Sequence, residues 1–321
     1  MRSAIATIGA AVFLACSALT AADSGPVVPK NIAVLAPATP DKQDATSGSG
    51  LETGAVIPGP IKYHMGAPVL AGDVKLYVIY YGMWNSRQTA LISSFLGGLG
   101  TSPWWGIERK YYHQASPSSS KQFVTSSLRV GKTVTDTYSL GKNIGDGGIA
   151  RIVKSHISAG RLPANSHAVY MVLTSSDVSE THTYNGEQSS FCKDTCGYHL
   201  STQLSSGKRI YYAHVGHPAR CLDGCAPKLN RHKSPNGLIG TDALLSVMAH
   251  EIAEAVSDPY VDGNPAWYDD QGNESADKCV NTFGATQVDG NGGSYNMGWG
   301  GHRYLIQQNW DPVKQDCALS G

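Results

Sequence analysis

The stretch Gly240–Cys279 reads GTDALLSVMAHEIAEAVSDPYVDGNPAWYDDQGNESADKC and fixes how the rest of the chain is understood. Its first half predicts a helix. Thr241 or Asp242 offers an N-cap oxygen, and Leu244, Leu245, Val247, Met248, Ile252, Ala255 and Val256 recur at helical spacing to form an apolar stripe. Pro259 ends the helix, because proline lacks a donor and drives the preceding residue toward extended geometry.

Within that helix His250, Glu251 and Glu254 spell H-E-x-x-E. Residues four apart share one helix face, so His250 and Glu254 are placed to grip one ion with Glu251 beside it. The same geometry in H-E-x-x-H zinc hydrolases leaves the intervening Glu as base toward a metal-bound water. Here a glutamate replaces the second histidine. Glu274, followed by Asp277, resembles the later Glu and Asp that complete thermolysin-like sites. The expected metal set is therefore His250, Glu254, Glu274 and Asp277, with Glu251 as the catalytic candidate and Asp258 as a substitute ligand. One imidazole among carboxylates makes a hard, anionic site for a divalent metal, zinc or calcium, with manganese also suited. The competing reading is an ordinary helix whose polar face happens to carry this pattern. Asn273-Glu274-Ser275 is also an N-glycosylation sequon, which belongs on an exposed loop and pulls against a buried role for Glu274.

Outward from this stretch, the 321-residue chain opens with Arg2 and an apolar run from Ala4 to Leu19, followed by small residues. That pattern reads as a signal peptide over residues 1–22. Residues 23–62, rich in Pro, Ala, Gly, Ser and Thr, read as a flexible leader, and residues 63–321 as one domain. Lysine plus arginine and aspartate plus glutamate both number 25, so no charge excess recommends nucleic acid or a membrane surface as partner. The expected partners are a cell-wall polysaccharide or an extracellular peptide or protein.

Of seven cysteines, six lie beyond the leader: Cys192, Cys196, Cys221, Cys225, Cys279 and Cys317. In an exported chain they favour disulfides over a zinc knuckle, although many pairings are open. The preferred arrangement links the 192/196 loop to the 221/225 loop and Cys279 to Cys317.

Strands are expected at Lys75–Tyr81, within Phe123–Leu140, at Ala168–Thr174, at Arg209–Val215 and at Arg303–Trp310. Helices are expected at Arg87–Leu96, capped by Ser86, and at Gly148–Ser158, capped by Asp146. Alternating elements give an α/β fold, a single layered domain with a mixed sheet, a disulfide-stapled loop region and a zincin-like arrangement around the H-E-x-x-E helix. Trp104 and Trp105 suit core packing, with a sugar-stacking platform as the alternative. His182, His199, His214 and His217 fall in the loop-rich region as weaker metal-ligand candidates.

Several stretches together resemble the EXORDIUM, or phosphate-induced protein, family of secreted proteins: LYVIYYGMW from Leu76, VLTSSDV from Val172, FCKDTCGYH from Phe191, CLDGCAP from Cys221, the Pro235–Pro259 segment, ESADKC from Glu274, and Tyr304–Cys317. The resemblance implies an extracellular, apoplastic or wall-associated protein linked to growth and cell expansion, with no established catalytic activity. By position it carries the family's cysteine pairs onto Cys192, Cys196, Cys221 and Cys225, a histidine onto His199, and its helix motif onto His250, Glu251 and Glu254. The chain departs from plant members at His214 and His217, where those show tryptophan and asparagine. A metal-dependent, peptidase-like hydrolase is the alternative function.

Overall fold

The computed structural model describes residues 56–321. The expected signal peptide and most of the leader lie outside them. Ile61 is buried, and Lys62–Tyr63 pairs antiparallel with Trp267–Tyr268, so packing begins slightly ahead of residue 63.

A six-stranded mixed sheet organises the rest. Its strands in chain order are β1 Gly72–Tyr81, β2 Tyr112–His113, β3 Gln122–Asp136, β4 Ala168–Thr174, β5 Gly197–Gln203 and β6 Arg209–Gly216, and they lie side by side as β2-β3-β1-β4-β6-β5. The four central strands are parallel, while β2 and β5 close the two edges antiparallel.

Side chains alternate across the sheet as the period of two requires. Val74, Leu76, Val78 and Tyr80 of β1 face one core with Val169, Met171 and Leu173 of β4, whereas Tyr77, Ile79 and Tyr81 face a second with Tyr170 and Val172. Helices α1, Ser86–Leu99, and α3, Ile239–Ser257, cover the first face, and α2, Gly148–Ser158, covers the second. Buried on both faces, these strands read as continuous apolar runs.

Helix starts differ from the sequence expectations. Asn85, not Ser86, caps α1 through a capping box with Gln88. Gly147, at φ 67°, precedes α2, and Asp146 instead accepts the Thr183 amide. Leu238 precedes α3; Asp242 sits in its first turn and receives Asn236 Nδ2 at 2.6 Å as well as the Ser234 hydroxyl. The expected one-sided stripe on α3 is also revised, since every residue from Thr241 to Ser257 is buried. This helix is a central pillar rather than a surface element.

Phe123–Leu140 contributes one strand, β3, while Arg303–Trp310 is broken into His302–Tyr304 and Asn309–Asp311. The cysteines pair as Cys192–Cys221, Cys196–Cys225 and Cys279–Cys317, in line with the preferred loop-to-loop arrangement and leaving none of these six for zinc. Trp104 and Trp105 are fully buried, their indole N–H groups donating to the Gln307 and Thr125 carbonyls at 2.8 Å, so they form core and not a sugar platform.

Candidate functional site

Three pieces of chain bring the site together beneath α3. The first is the helix itself, which presents His250 and Glu251 on one turn and Glu254 on the next, with Asp258 just past its end. The second is edge strand β5. Its antiparallel register sets His199 opposite Ala213, which continues a row through Met171 and Val78 on the helix-covered face. The third is the Glu274–Cys279 segment, whose last residues form a short 3-10 turn.

Glu254 ties the third piece to the first. Its Oε1 accepts the backbone amides of Ala276 at 3.2 Å and Asp277 at 3.0 Å, while the Ala276 carbonyl is held by Gln307 Nε2. Close approach of β5 to the helix needs a glycine. A Cβ on Gly197 would fall 2.9 Å from Glu251 Oε1, Val247 Cγ1 and the His214 carbonyl.

The functional groups converge in two overlapping sets. His250 Nε2 lies 3.1 Å from Glu254 Oε2 and 3.5 Å from Asp277 Oδ1. On the other side, His199 Nε2 lies 3.5 Å from Glu274 Oε1, and its Nδ1 lies 3.8 Å from Glu254 Oε2 and 3.5 Å from Glu251 Oε2. The sets His250-Glu254-Asp277 and His199-Glu254-Glu274 each have ligand atoms within 4.8 Å of one another. All the residues expected from the helix motif are thus present and buried, but they are divided differently: Asp277 joins His250, and Glu274 joins His199. Asp258 turns one carboxylate oxygen to the Ala266 amide at 2.7 Å.

The electrostatics are severe. His199, His250, Glu251, Glu254, Asp258 and Glu274 are at most 1% exposed, and the charged groups that chiefly set their ionisation are one another and Asp277. Both oxygens of Glu251 and of Glu274, with Glu254 Oε2 and Asp258 Oδ2, accept no hydrogen bond from the described residues. Burial, reinforced by the neighbouring carboxylates, drives Glu274 well above its ordinary range, and burial raises Glu251. Burial lifts Asp258 to about 7 against the Ala266 amide, and burial with the Glu254 charge lifts Asp277 to about 7. Burial also opposes ionisation of Glu254, but His250 and His199 outweigh it and hold the group low. The reverse balance raises His250, whose desolvation is overcome by Glu254 and Asp277.

A cation meets these conditions. Bonds of about 2.1 Å in tetrahedral geometry separate ligand atoms by roughly 3.4 Å, close to the spacings in both sets. Of the histidines raised by sequence, only His199 reaches this cluster. His214 points to the opposite face of the sheet, 4.0 Å from Glu180, and His182 contacts the same carboxylate. His217 packs at the start of α3 against Thr241 and Gly240, roughly 15 Å along the helix from His250.

Residues 61–320 match the Phosphate-induced protein 1 conserved region, a span that takes in every residue of the cluster. The chain belongs to the EXORDIUM, or phosphate-induced protein, family. Among similar proteins, EXORDIUM-like 3 of Arabidopsis thaliana is 32% identical over 294 residues, covering 80% of this chain and 82% of that protein. PHOSPHATE-INDUCED 1 of Nicotiana tabacum is 27% identical over 294 residues, with 80% and 87% covered. EXORDIUM of Arabidopsis thaliana is 28% identical over 295 residues, with 80% and 88% covered. No solved structure matches the chain.

Proposed function

We propose that this family member is exported and works outside the cell, at the wall or in the surrounding fluid, as a non-catalytic protein of growth and cell-expansion control whose fold is braced by a bound divalent cation. The observation that carries the cation is the set of buried carboxylate oxygens that accept no hydrogen bond from the described residues, gathered around two imidazoles. Imidazole in each set favours zinc or manganese over calcium, which prefers oxygen alone.

Three disulfides support an oxidising destination, as does the signal-like apolar run from Ala4 to Leu19. No helix among the described residues is long and apolar enough to cross a membrane. The extracellular partner is a wall polysaccharide or a peptide.

Nothing in the geometry favours the hydrolase alternative. Glu251, its would-be base, is fully enclosed, with Gly197 packed against its carboxylate. A base must come within hydrogen-bond reach of the proton it takes, and a carboxylate with no exposed surface among the described residues does not present itself to a polymeric substrate.

Metal analysis of protein purified from culture medium tests the cation reading. At least one equivalent of zinc or manganese is expected, with a lower unfolding temperature after chelation and recovery on adding the metal back. Metal-free protein whose stability ignores zinc, manganese and calcium would overturn it. Retention of the full-length chain inside the cell would overturn export.

A further inference from the structure

We infer that the cluster holds two divalent cations bridged by Glu254, one on the His250-Asp277 side and one on the His199-Glu274 side. This rests on the cation reading above and goes further in number and arrangement. The two ligand sets share Glu254 alone. Its Oε2 is the oxygen approached from both sides, by His250 Nε2 at 3.1 Å and by His199 Nδ1 at 3.8 Å, while its Oε1 is committed to backbone amides. A small ion with bonds near 2.1 Å spans about 4.2 Å at most between opposite ligands, and the residues that differ between the two sets fall in separate groups, so an ion seated in one set does not complete the other. Two ions sharing a carboxylate stand about 3.5–4 Å apart in known paired sites, a separation that a bridging Glu254 permits.

Charge points the same way. The two ligand sets contain Glu254, Asp277 and Glu274, with Glu251 beside His199; one divalent cation offsets at most two of these four carboxylates once they bind as anions, and two offset all four. The pair also gives Glu251 a task. Its unbonded Oε2, 3.5 Å from His199 Nδ1, is placed as a further ligand on the His199 side.

Stoichiometry and spin coupling test the pair. Protein loaded with manganese and freed of loose metal by gel filtration is expected to carry about two equivalents and to give the spectrum of an exchange-coupled manganese pair in electron paramagnetic resonance. Glu274→Gln and Asp277→Asn should each fall to about one equivalent, with the uncoupled six-line signal of a lone ion. Wild-type protein with one equivalent and the lone-ion signal overturns the pair while leaving the single-cation function standing. Two equivalents without coupling overturn the bridge, and no bound metal with manganese or zinc overturns both readings. Because the wild-type measurement decides each case, a variant that fails to fold does not shelter the inference.

Discussion

Lys278 Nζ stands 2.7 Å from Asp269 Oδ2, and neither side chain meets solvent. This ion pair lies just behind Asp277, and Asp269 also receives the amides of Gln271 and Asn273. Removing one partner strands a buried charge, which typically costs about 3–5 kcal/mol, whereas removing both as a matched pair costs far less. Lys278→Met is therefore expected to lower the urea midpoint sharply, and Lys278→Met with Asp269→Asn to recover part of the loss. Equal midpoints for the single and double variants would contradict the pairing.

Asn273 lies within the same loop and is 4% exposed. Its side-chain nitrogen, the atom a glycan would occupy, donates to both Asp269 oxygens at 3.1 and 3.0 Å. The sequon is consequently expected to remain unmodified in the folded protein. Intact mass after expression in a glycosylating host checks this, and a glycan at Asn273 would require the loop to be built differently.

Acid sensitivity should come in part from two histidines outside the cluster. Burial lowers His214 and His217 to about 4 from an ordinary value of 6.5, with Glu180 opposing the shift at His214. Between those values the unfolded chain binds protons that the fold refuses, so stability falls as pH drops from about 6.5 and the loss levels off below about 4. Each site accounts for roughly 3 kcal/mol across that window. His214→Gln and His217→Gln should each flatten the fall in urea midpoint between pH 7 and pH 4.5, and an unchanged slope would remove them as its source.

Gly197→Ala should disturb the cluster from the sheet side. The added methyl group meets Glu251, Val247 and the His214 carbonyl at 2.9 Å, and a neighbour this close must move. Overpacking of this kind costs about 1–3 kcal/mol. The variant is expected to unfold earlier and to bind manganese more weakly than wild type in a calorimetric titration. Wild-type affinity with wild-type stability would show that β5 has room to retreat.

Much of this arrangement was legible from local patterns. β1, β4 and β6 announce themselves as apolar runs bounded by turn residues, and α3 by its apolar spacing and by Pro259. His250, Glu251 and Glu254 are neighbours on α3 because helical spacing alone decides that. In the sequence His199 is one of four candidate histidines and the one matched by the family resemblance; what separates it from the others is the antiparallel register with Ala213, which places it under the helix. The division between Glu274 and Asp277 likewise depends on how Glu254 grips the loop backbone, an interaction without any sequence signature. Asp146 and Asp242 misled for a related reason: a carboxylate near a helix start can accept from a distant amide as well as from the first turn.

The Glu274–Cys279 segment roofs the cluster and is latched on both sides, by Glu254 beneath and by the Cys279–Cys317 bond beyond. Ions lodged there would lie behind the described residues of that roof, so their turnover would be governed by how often it lifts. Metal content would then record the conditions under which the chain matured, with slow isotope exchange afterward, instead of tracking the fluid into which it was released.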